Sequence, residues 1–439
     1  MASELLMSVQ SIVKRLQTSH FVRNVAMVGG GIAAAQAIAL IFMPFLTRLY
    51  GPESFGVAAA FAAIVSIITP VATMGYAGAI VMPDDDDDAA AVARLSILCG
   101  LILVPISLTA VYLGKPWLAS WTGMEKTADM LYLIPLSLLV TAFLSVANQS
   151  AIRAHLFKAK ARAYVESTLL TNGGKLIGGF LAPSGLLLII LTLVGQVLNF
   201  MMQMLRVPRK GVLKPTNWFG FKGVRAAAVS QRDFAIYRMP HGIIRAASMG
   251  LPVIMLTTLF GAGSAGQYSL ILLLLSAPVM LLGDSVGEVF YPKITRAIND
   301  HTGKSFTLIS KAALALFIVG VIPFGFMAAF GDVVLPWIFG SEWKLAGQYS
   351  QWVAFWMIAM LTVRPAVAAM PALKMQSVLL IYEVVITVCR LGALYVGYLQ
   401  NDNIVAVALF SLVNVAGYAG LWLVVMIKSR EKDKEAVNV

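Results

Sequence analysis

From Leu186 to Leu205 the chain writes LLLIILTLVGQVLNFMMQML without a charge, and similar apolar runs recur from one end of the sequence to the other. About twenty such residues are what a helix needs to cross the hydrocarbon core of a bilayer. Inside lipid every backbone amide and carbonyl must be satisfied within the structure, so runs of this length have one stable fate, the transmembrane α-helix. A transmembrane barrel would show strands of about ten residues with alternating polarity instead. Composition agrees: of 439 residues 59% are hydrophobic and 12% charged, with mean hydropathy +0.82, too little polar material to cover a soluble domain. The expected fold class is an all-α polytopic membrane protein of about 12 transmembrane helices.

The spans are expected at residues 24–47, 55–82, 89–113, 128–148, 164–182, 184–205, 240–260, 265–290, 306–330, 345–368, 376–398 and 404–427. With the N-terminus cytoplasmic, inside segments hold 25 of the 33 Lys and Arg, counting with them Arg94 and Lys311 at the cytoplasmic ends of their spans; outside segments hold four (Arg48, Lys115, Lys126, Lys344), and span interiors hold four (Lys175, Arg245, Arg364, Arg390). That asymmetry follows the positive-inside rule and suits an even helix number with both termini in the cytoplasm. It also accounts for a pI near 9.7. The basic residues face anionic lipid, so no nucleic-acid partner is expected. The organisation that follows is a cytoplasmic lead over 1–23, an N-terminal six-helix bundle over 24–205, a basic linker over 206–239, a C-terminal six-helix bundle over 240–427 and a cytoplasmic tail over 428–439. The lead, with Lys14, Arg15 and Arg23, has no signal-peptide core.

Several chemistries are excluded. Cys99 and Cys389 fall inside spans and read as small buried filler, and no Cys/His cluster has metal-ligand spacing. NGGKLIGG around Lys175 lacks the first Gly and the Ser/Thr of a phosphate loop. No metal or cofactor is expected. The stretch Arg206 to Met239 is too short to close a catalytic core unaided. It reads as a helix lying at the cytoplasmic interface and joining two halves.

The halves are related. Leu49, Gly51, Ser54 and Gly56 in LTRLYGPESFG recur as Leu259, Gly261, Ser264 and Gly266 in TTLFGAGSAG, with Tyr50 becoming Phe260. Pro44 and Pro252 precede the two turns, and Pro83 and Pro292 are expected to close the helices after them. VPISLTAVYLGKPWLASW (Val104 to Trp121) is echoed by IPFGFMAAFGDVVLPW (Ile322 to Trp337), with the offset held between 208 and 218. A repeat of six spans enters the membrane from the same side both times. The two six-helix bundles are therefore expected to be related by a pseudo-two-fold axis along the membrane normal, an arrangement suited to alternating access. Gly51 and Gly261 free the backbone to reverse, while Gly56 and Gly266 permit close helix approach. Trp117, Trp121, Trp337 and Trp343 fall in equivalent outside loops and read as interfacial anchors.

The stretch PFLTRLYGPESFGVAAAFAAIVSIITPVATMGYAGAIVMPDDDDDAAAVARLS resembles the N-terminal region of bacterial polysaccharide transporters. These are Wzx-type flippases of lipid-linked oligosaccharide within the multidrug/oligosaccharidyl-lipid/polysaccharide exporter superfamily. Thr47, Arg48, Leu49, Tyr50, Gly51, Pro52, Glu53, Phe55 and Gly56 match the pattern, as do Ala79, Ile80, Pro83 and Asp84 to Asp88. Relatives often carry a basic residue and a Glu where this chain has Gly75 and Gly78. The resemblance implies movement of an undecaprenyl-diphosphate-linked oligosaccharide from the cytoplasmic to the outer leaflet of the bacterial inner membrane, for O-antigen, capsule or exopolysaccharide, beside polysaccharide polymerase machinery.

A cleft for an anionic headgroup should hold cations, so the intramembrane charges are the candidate site. Lys175 lies mid-span in the fifth helix among Gly173, Gly174, Gly178 and Gly179. Glu383 and Arg390, seven residues apart, share a face of the eleventh helix but stand about 10 Å apart along its axis, too far for an easy direct ion pair. Arg245 and Arg364 lie nearer the cytoplasmic ends, where snorkelling explains them equally well. Arg48 reads as an outer headgroup anchor before a ligand. Asp284 and Glu288, four apart on the eighth helix, can share a proton, which would suit coupling to H+, with Na+ as the other coupling ion; hydration at the cytoplasmic end is the plainer reading. The run Asp84 to Asp88 reads as the charged start of the third helix. Two rivals stand beside the flippase: an ion-coupled multidrug exporter of the same fold, and a membrane-embedded polysaccharide enzyme, which would be expected to show a large outside loop or acidic site.

Overall fold

The structure is a computed structural model that describes residues 20–207, 211–300 and 303–437. Lys14 and Arg15 of the lead, and Arg209 and Lys210 of the linker, lie outside the described residues. Among those residues every regular element is a helix and none is a strand. Helix α1 spans His20–Ala72, α2 Asp86–Thr122, α3 Ile134–Arg153, α4 Phe157–Leu181 and α5 Gly185–Arg206. A short α6, Val224–Ser230, lies in the linker, and α7 Met239–Phe260, α8 Ala262–Asn299, α9 Ser305–Phe339, α10 Lys344–Ala369, α11 Gln376–Leu399 and α12 Asn403–Val437 follow.

Among the described residues, ten helical stretches are long and apolar enough to cross a membrane. One of them, within α1, is 43 residues long. At 1.5 Å per residue that is about 65 Å, roughly two bilayer cores. Its helix breaks at Gly51, whose φ of 66° and ψ of 168° only glycine adopts easily, so α1 supplies the first two spans. Helix α4 has 25 residues, enough to cross, but Lys158, Lys160, Arg162, Glu166 and Lys175 lower its hydropathy. Counted this way the spans are twelve.

The chain divides into two compact units. The first comprises Met1–Leu46, Ile64–Leu118 and Thr127–Ala247; the second comprises Thr47–Ala63, Ala119–Lys126 and Ser248–Val439. In the first, Tyr76, Ile80, Ala89 to Ala93, Val146 and Ala147 form a buried core that also takes in Val212, Leu213, Trp218 and Ala227 of the linker. Trp218 is 1% exposed, and its indole donates to the Val212 carbonyl at 2.6 Å. The linker is therefore a folded cap on this unit, not simply an interfacial helix. Its own length is too small for a core, but it borrows one.

The aspartate run starts α2 as expected, with Asp86, Asp87 and Asp88 in the first turn, where the helix dipole favours negative charge. Arg153 at the end of α3 holds this start, donating to the carbonyls of Pro83 and Asp84 and to the Asp86 carboxylate.

In the second unit, Phe290, Ile294, Ile309, Val363, Leu421 and Val425 belong to one buried cluster. The tail continues α12, and Asp433 accepts from the Ser305 and Phe306 amides, both at 2.9 Å, capping α9. Pro292 does not close its helix: it lies inside α8, which runs on to Asn299. Helices α2 and α9 have 37 and 35 residues and each carries two internal prolines, Pro105 and Pro116 in one and Pro323 and Pro336 in the other. Cys389 is exposed on α11, so it is not the buried filler expected of it.

Candidate functional site

Arg390 is 3% exposed, deep within α11 of the second unit. Removing a guanidinium from water without partners would cost many kcal/mol, and three helices supply them. Its Nε donates to the Asn414 carboxamide oxygen on α12 at 2.8 Å, and one terminal nitrogen donates to the Ser248 hydroxyl on α7 at 2.9 Å. The Ser248 hydroxyl in turn donates to Glu383 Oε1 at 2.8 Å, and that oxygen stands 3.7 Å from Arg390. The Thr387 hydroxyl lies 2.6 Å from the Glu383 carbonyl and 3.0 Å from Ser248 Oγ, with one proton for the two acceptors. Asn414 is fixed in turn by donating to the Phe410 carbonyl at 2.8 Å.

Glu383 and Arg390 thus pair directly, against the sequence expectation. Axial separation between Cα atoms ignored side-chain length and the tilt of every Cα–Cβ bond toward the helix N-terminus, which leans Arg390 back toward Glu383. Glu383 keeps 28% of its side chain exposed whereas Arg390 keeps 3%. The cation is enclosed and its carboxylate partner is the accessible member.

The other expected residues are dispersed. Lys175, on α4, is partly buried in the first unit, and Arg245 on α7 is exposed in that same unit. Arg364 on α10 lies flat against α8, so close to Gly283 that a Cβ there would be 2.8 Å from its Nε. Asp284 and Glu288 lie on α8, and their side chains are outside the described residues. Arg48 reaches the end of α9, donating to the Trp337 and Ile338 carbonyls at 3.1 Å each. Lone carbonyls at a helix C-terminus, and the negative end of its dipole, are natural partners for such a cation.

Sequence reading missed Ser248, Thr387 and Asn414. The available signal was polarity within apolar spans, where a hydroxyl or carboxamide seeks a partner on a neighbouring helix. It also misplaced Trp343. That indole is fully buried, donates to the Thr47 carbonyl at 3.2 Å and meets Phe55 edge-on at 5.4 Å, so it is a packing element and not an interfacial anchor. Trp117, Trp121 and Trp337 are exposed. At Gly75 a Cβ would stand 2.8 Å from the Phe234 carbonyl, and at Gly78 it would stand 3.4 Å from the Arg238 guanidinium carbon. At both glycines the chain admits its own linker, and at Gly78 that linker brings in the Arg238 cation.

The two repeated turns meet inside the second unit. A Cβ at Gly56 would fall 1.7 Å from the Ala262 carbonyl, and one at Gly266 would fall 1.9 Å from the Pro52 carbonyl. Each turn lies against the backbone of the other, reciprocally. Gly261 repeats the conformation of Gly51, with φ 85° and ψ 163°.

A twelve-span helical membrane protein with an internal repeat and a charged network enclosed in lipid-spanning helices belongs to the transporter class. Solved structures share the fold. The chain matches the inward-facing conformation of a multidrug resistance MATE family transporter of the MOP superfamily with a TM-score of 0.70 at 14% identity, covering 91% of this chain and 96% of that one. It matches the lipid II flippase MurJ, in its inward closed conformation, with a TM-score of 0.70 at 13% identity, covering 93% and 90%. The succinoglycan biosynthesis transport protein ExoT of Rhizobium meliloti (strain 1021) is 22% identical over 395 residues, 88% of this chain and 76% of that protein. The polysaccharide biosynthesis protein family matches residues 45–348. The chain belongs to that family, and the resemblance carried by Thr47 to Gly56 and Ala79 to Asp88 is borne out.

Proposed function

We propose that the protein is a flippase that moves an undecaprenyl-diphosphate-linked oligosaccharide repeat unit from the cytoplasmic to the outer leaflet of a bacterial inner membrane by alternating access. Family membership over residues 45–348 carries this reading. The physics demands such a machine: each unpaired sugar hydroxyl costs several kcal/mol in hydrocarbon, and a diphosphate costs more. A path lined by fixed cations lowers that barrier while the lipid tail stays in the bilayer. Lys175 and Arg390 are the proposed headgroup cations, with Arg245, Arg364 and Arg48 as further candidates. Glu383 is the accessible partner that releases Arg390 to an anionic head, and Asp284 with Glu288 are candidates for a coupling ion, H+ or Na+. The polymerase machinery would take up the exported unit. The MATE likeness of the fold keeps an ion-coupled multidrug exporter as the second reading.

Deletion of the gene should stop surface polysaccharide while lipid-linked repeat units persist in extracts, inaccessible from outside the cell. Absence of the intermediate itself would make the protein a synthetic enzyme and sink the transport reading. Orientation is read from an impermeant thiol reagent in a background lacking Cys99 and Cys389. Ser264 is only 6% exposed, so the exposed Asn401 is the better outside reporter and Lys222 the inside one. Labelling of Lys222→Cys but not Asn401→Cys in intact cells would invert the topology.

For the site, Arg390→Ala should reduce export at least about a hundredfold, as loss of a buried charged hydrogen-bond partner costs about 3 kcal/mol or more. Arg390→Lys should restore part of it, keeping charge without the fork. Recovery of both expression and export in the Arg390→Ala, Glu383→Ala double variant would show the pair to be structural only.

A further inference from the structure

The linker has a second face that its core packing does not use. Val212, Leu213, Trp218 and Ala227 are buried against the first unit, and Arg94 donates to the Lys222 carbonyl at 2.9 Å, which together fix the roll of the segment. On the other side Lys222, Arg225, Val229, Arg232 and Ile236 are all exposed. Arg225, Val229, Arg232 and Ile236, spaced four, three and four apart, fall on one side of the helical path through α6 and the Phe234–Arg238 turn, and Lys222 precedes that path across the left-handed Gly223. Phe219, Phe221 and Tyr237 flank this stripe, with Phe221 78% and Tyr237 70% exposed.

A surface meant for water would disperse such rings and mix the signs of its charges. Here three cations alternate with apolar side chains, and Asp233 is the single acid from Phe219 to Tyr237. The position of the segment in the chain decides what covers it. It follows a span that ends at Arg206, and its last turn, Phe234–Arg238, runs without a break into α7 at Met239. Both ends of the linker are therefore at the level where spans leave the bilayer. Rings at that depth reach the headgroup boundary, and cations among them meet lipid phosphates.

We propose that the Lys222–Arg225–Val229–Arg232–Ile236 face, with Phe219, Phe221 and Tyr237, lies in the headgroup layer of its leaflet and binds anionic phospholipid. The linker then works as a membrane-seated strap: its inner face is welded to the first unit and its outer face is held by lipid charge. Each cation near an anionic surface is worth about fivefold in binding. This surface requires only that the chain spans a membrane, so it stands apart from what the protein transports.

The test uses the full-length protein, in the background lacking Cys99 and Cys389, with a polarity-sensitive fluorophore at Phe221→Cys or Tyr237→Cys. The protein is reconstituted in vesicles of phosphatidylcholine alone or of an equal mixture with phosphatidylglycerol. Expected are blue-shifted emission in the mixed vesicles, quenching by a spin label carried at shallow lipid depth, and reversal of the phosphatidylglycerol effect in high salt. Lys222→Gln, Arg225→Gln and Arg232→Gln together should lower the preference for phosphatidylglycerol by about tenfold or more. The salt arm needs no variant, so a triple variant that fails to fold leaves the test intact. Water-like emission at both positions, open to an aqueous quencher in both vesicles, overturns the proposal. Equal quenching in the two lipids, unchanged by salt, overturns the anionic-lipid part of it.

Discussion

The two copies of the repeated turn share a backbone and differ in their side-chain bonds. Gly51 and Gly261 adopt the same left-handed extended conformation, at φ 66° and 85°, and Gly56 and Gly266 press reciprocally on the backbone of the opposite copy. Around that common frame the bonding is unequal. In the first copy Arg48 donates to two carbonyls, Trp337 and Ile338. Its counterpart Thr258 donates to one carbonyl there, Trp121, the residue equivalent to Trp337, at 3.0 Å. In the second copy Gln267, whose counterpart is Val57, bonds the Glu342 carbonyl at 2.6 Å and the Ala346 amide at 2.8 Å. Duplication fixed what the backbone needs, since no other residue fits those four positions. Side chains were free to diverge wherever any donor could meet the carbonyls of a helix end. Charge is kept in the first copy because two carbonyls at the end of α9 await it.

If the glycine crossing is the symmetric part, breaking it should be severe from either side. Gly56→Ala and Gly266→Ala each place a methyl on a carbonyl oxygen that belongs to backbone and cannot rotate aside. Each should cost at least about 3 kcal/mol, the upper end for overpacking. A cysteine at Ser264, now 6% exposed, should then be labelled many times faster by an impermeant thiol reagent. Export should fall about equally in the two variants. Normal export with slow labelling in either one would show that the crossing does not close this end.

Much of this frame was legible in the sequence, because what it rests on is local. A span declares itself by apolar length, Gly51 and Gly261 by a backbone that other residues do not easily follow, and Gly56 and Gly266 by the room they leave for a neighbouring backbone. The aspartate run announced the start of α2 for the same reason. The candidate site was legible only as a set of charges. Arg390 could be singled out by depth, but its partners Ser248 and Asn414 stand 142 and 24 residues away in sequence, and nothing local says which helices meet. The linker misled for a related reason: counting its residues measures the core it can build alone, not the one it can join through Trp218. Trp343 was grouped with three exposed tryptophans by its place in the repeat, yet pairing with Phe55 and Thr47 turned it inward.

The finer prediction concerns the unequal arms, and it should produce graded effects where the glycines produce loss. Arg48→Ala removes two charged hydrogen bonds from the end of α9. A charged bond is worth about 1.5–3 kcal/mol when buried, and at this exposed residue the pair together should contribute about 1–2 kcal/mol. Both bonds come from one guanidinium nitrogen, Nη2, and Arg48→Lys keeps the charge on a side chain one bond shorter, so it should fall between parent and Ala. Thr258→Val should cost less, under about 1 kcal/mol, because its single proton already divides between Trp121 and the Ile254 carbonyl at 2.9 Å. The thermal midpoint of the purified protein and the labelling rate at Ser264→Cys should both follow the order Arg48→Ala, Arg48→Lys, Thr258→Val, largest first. An anchor for lipid headgroups would behave otherwise: Arg48→Lys would match the parent, and the Ser264 label would not respond to Arg48→Ala at all. Equal effects from Arg48→Ala and Thr258→Val would make the two arms equivalent and leave the charge in the first copy without a role in closure.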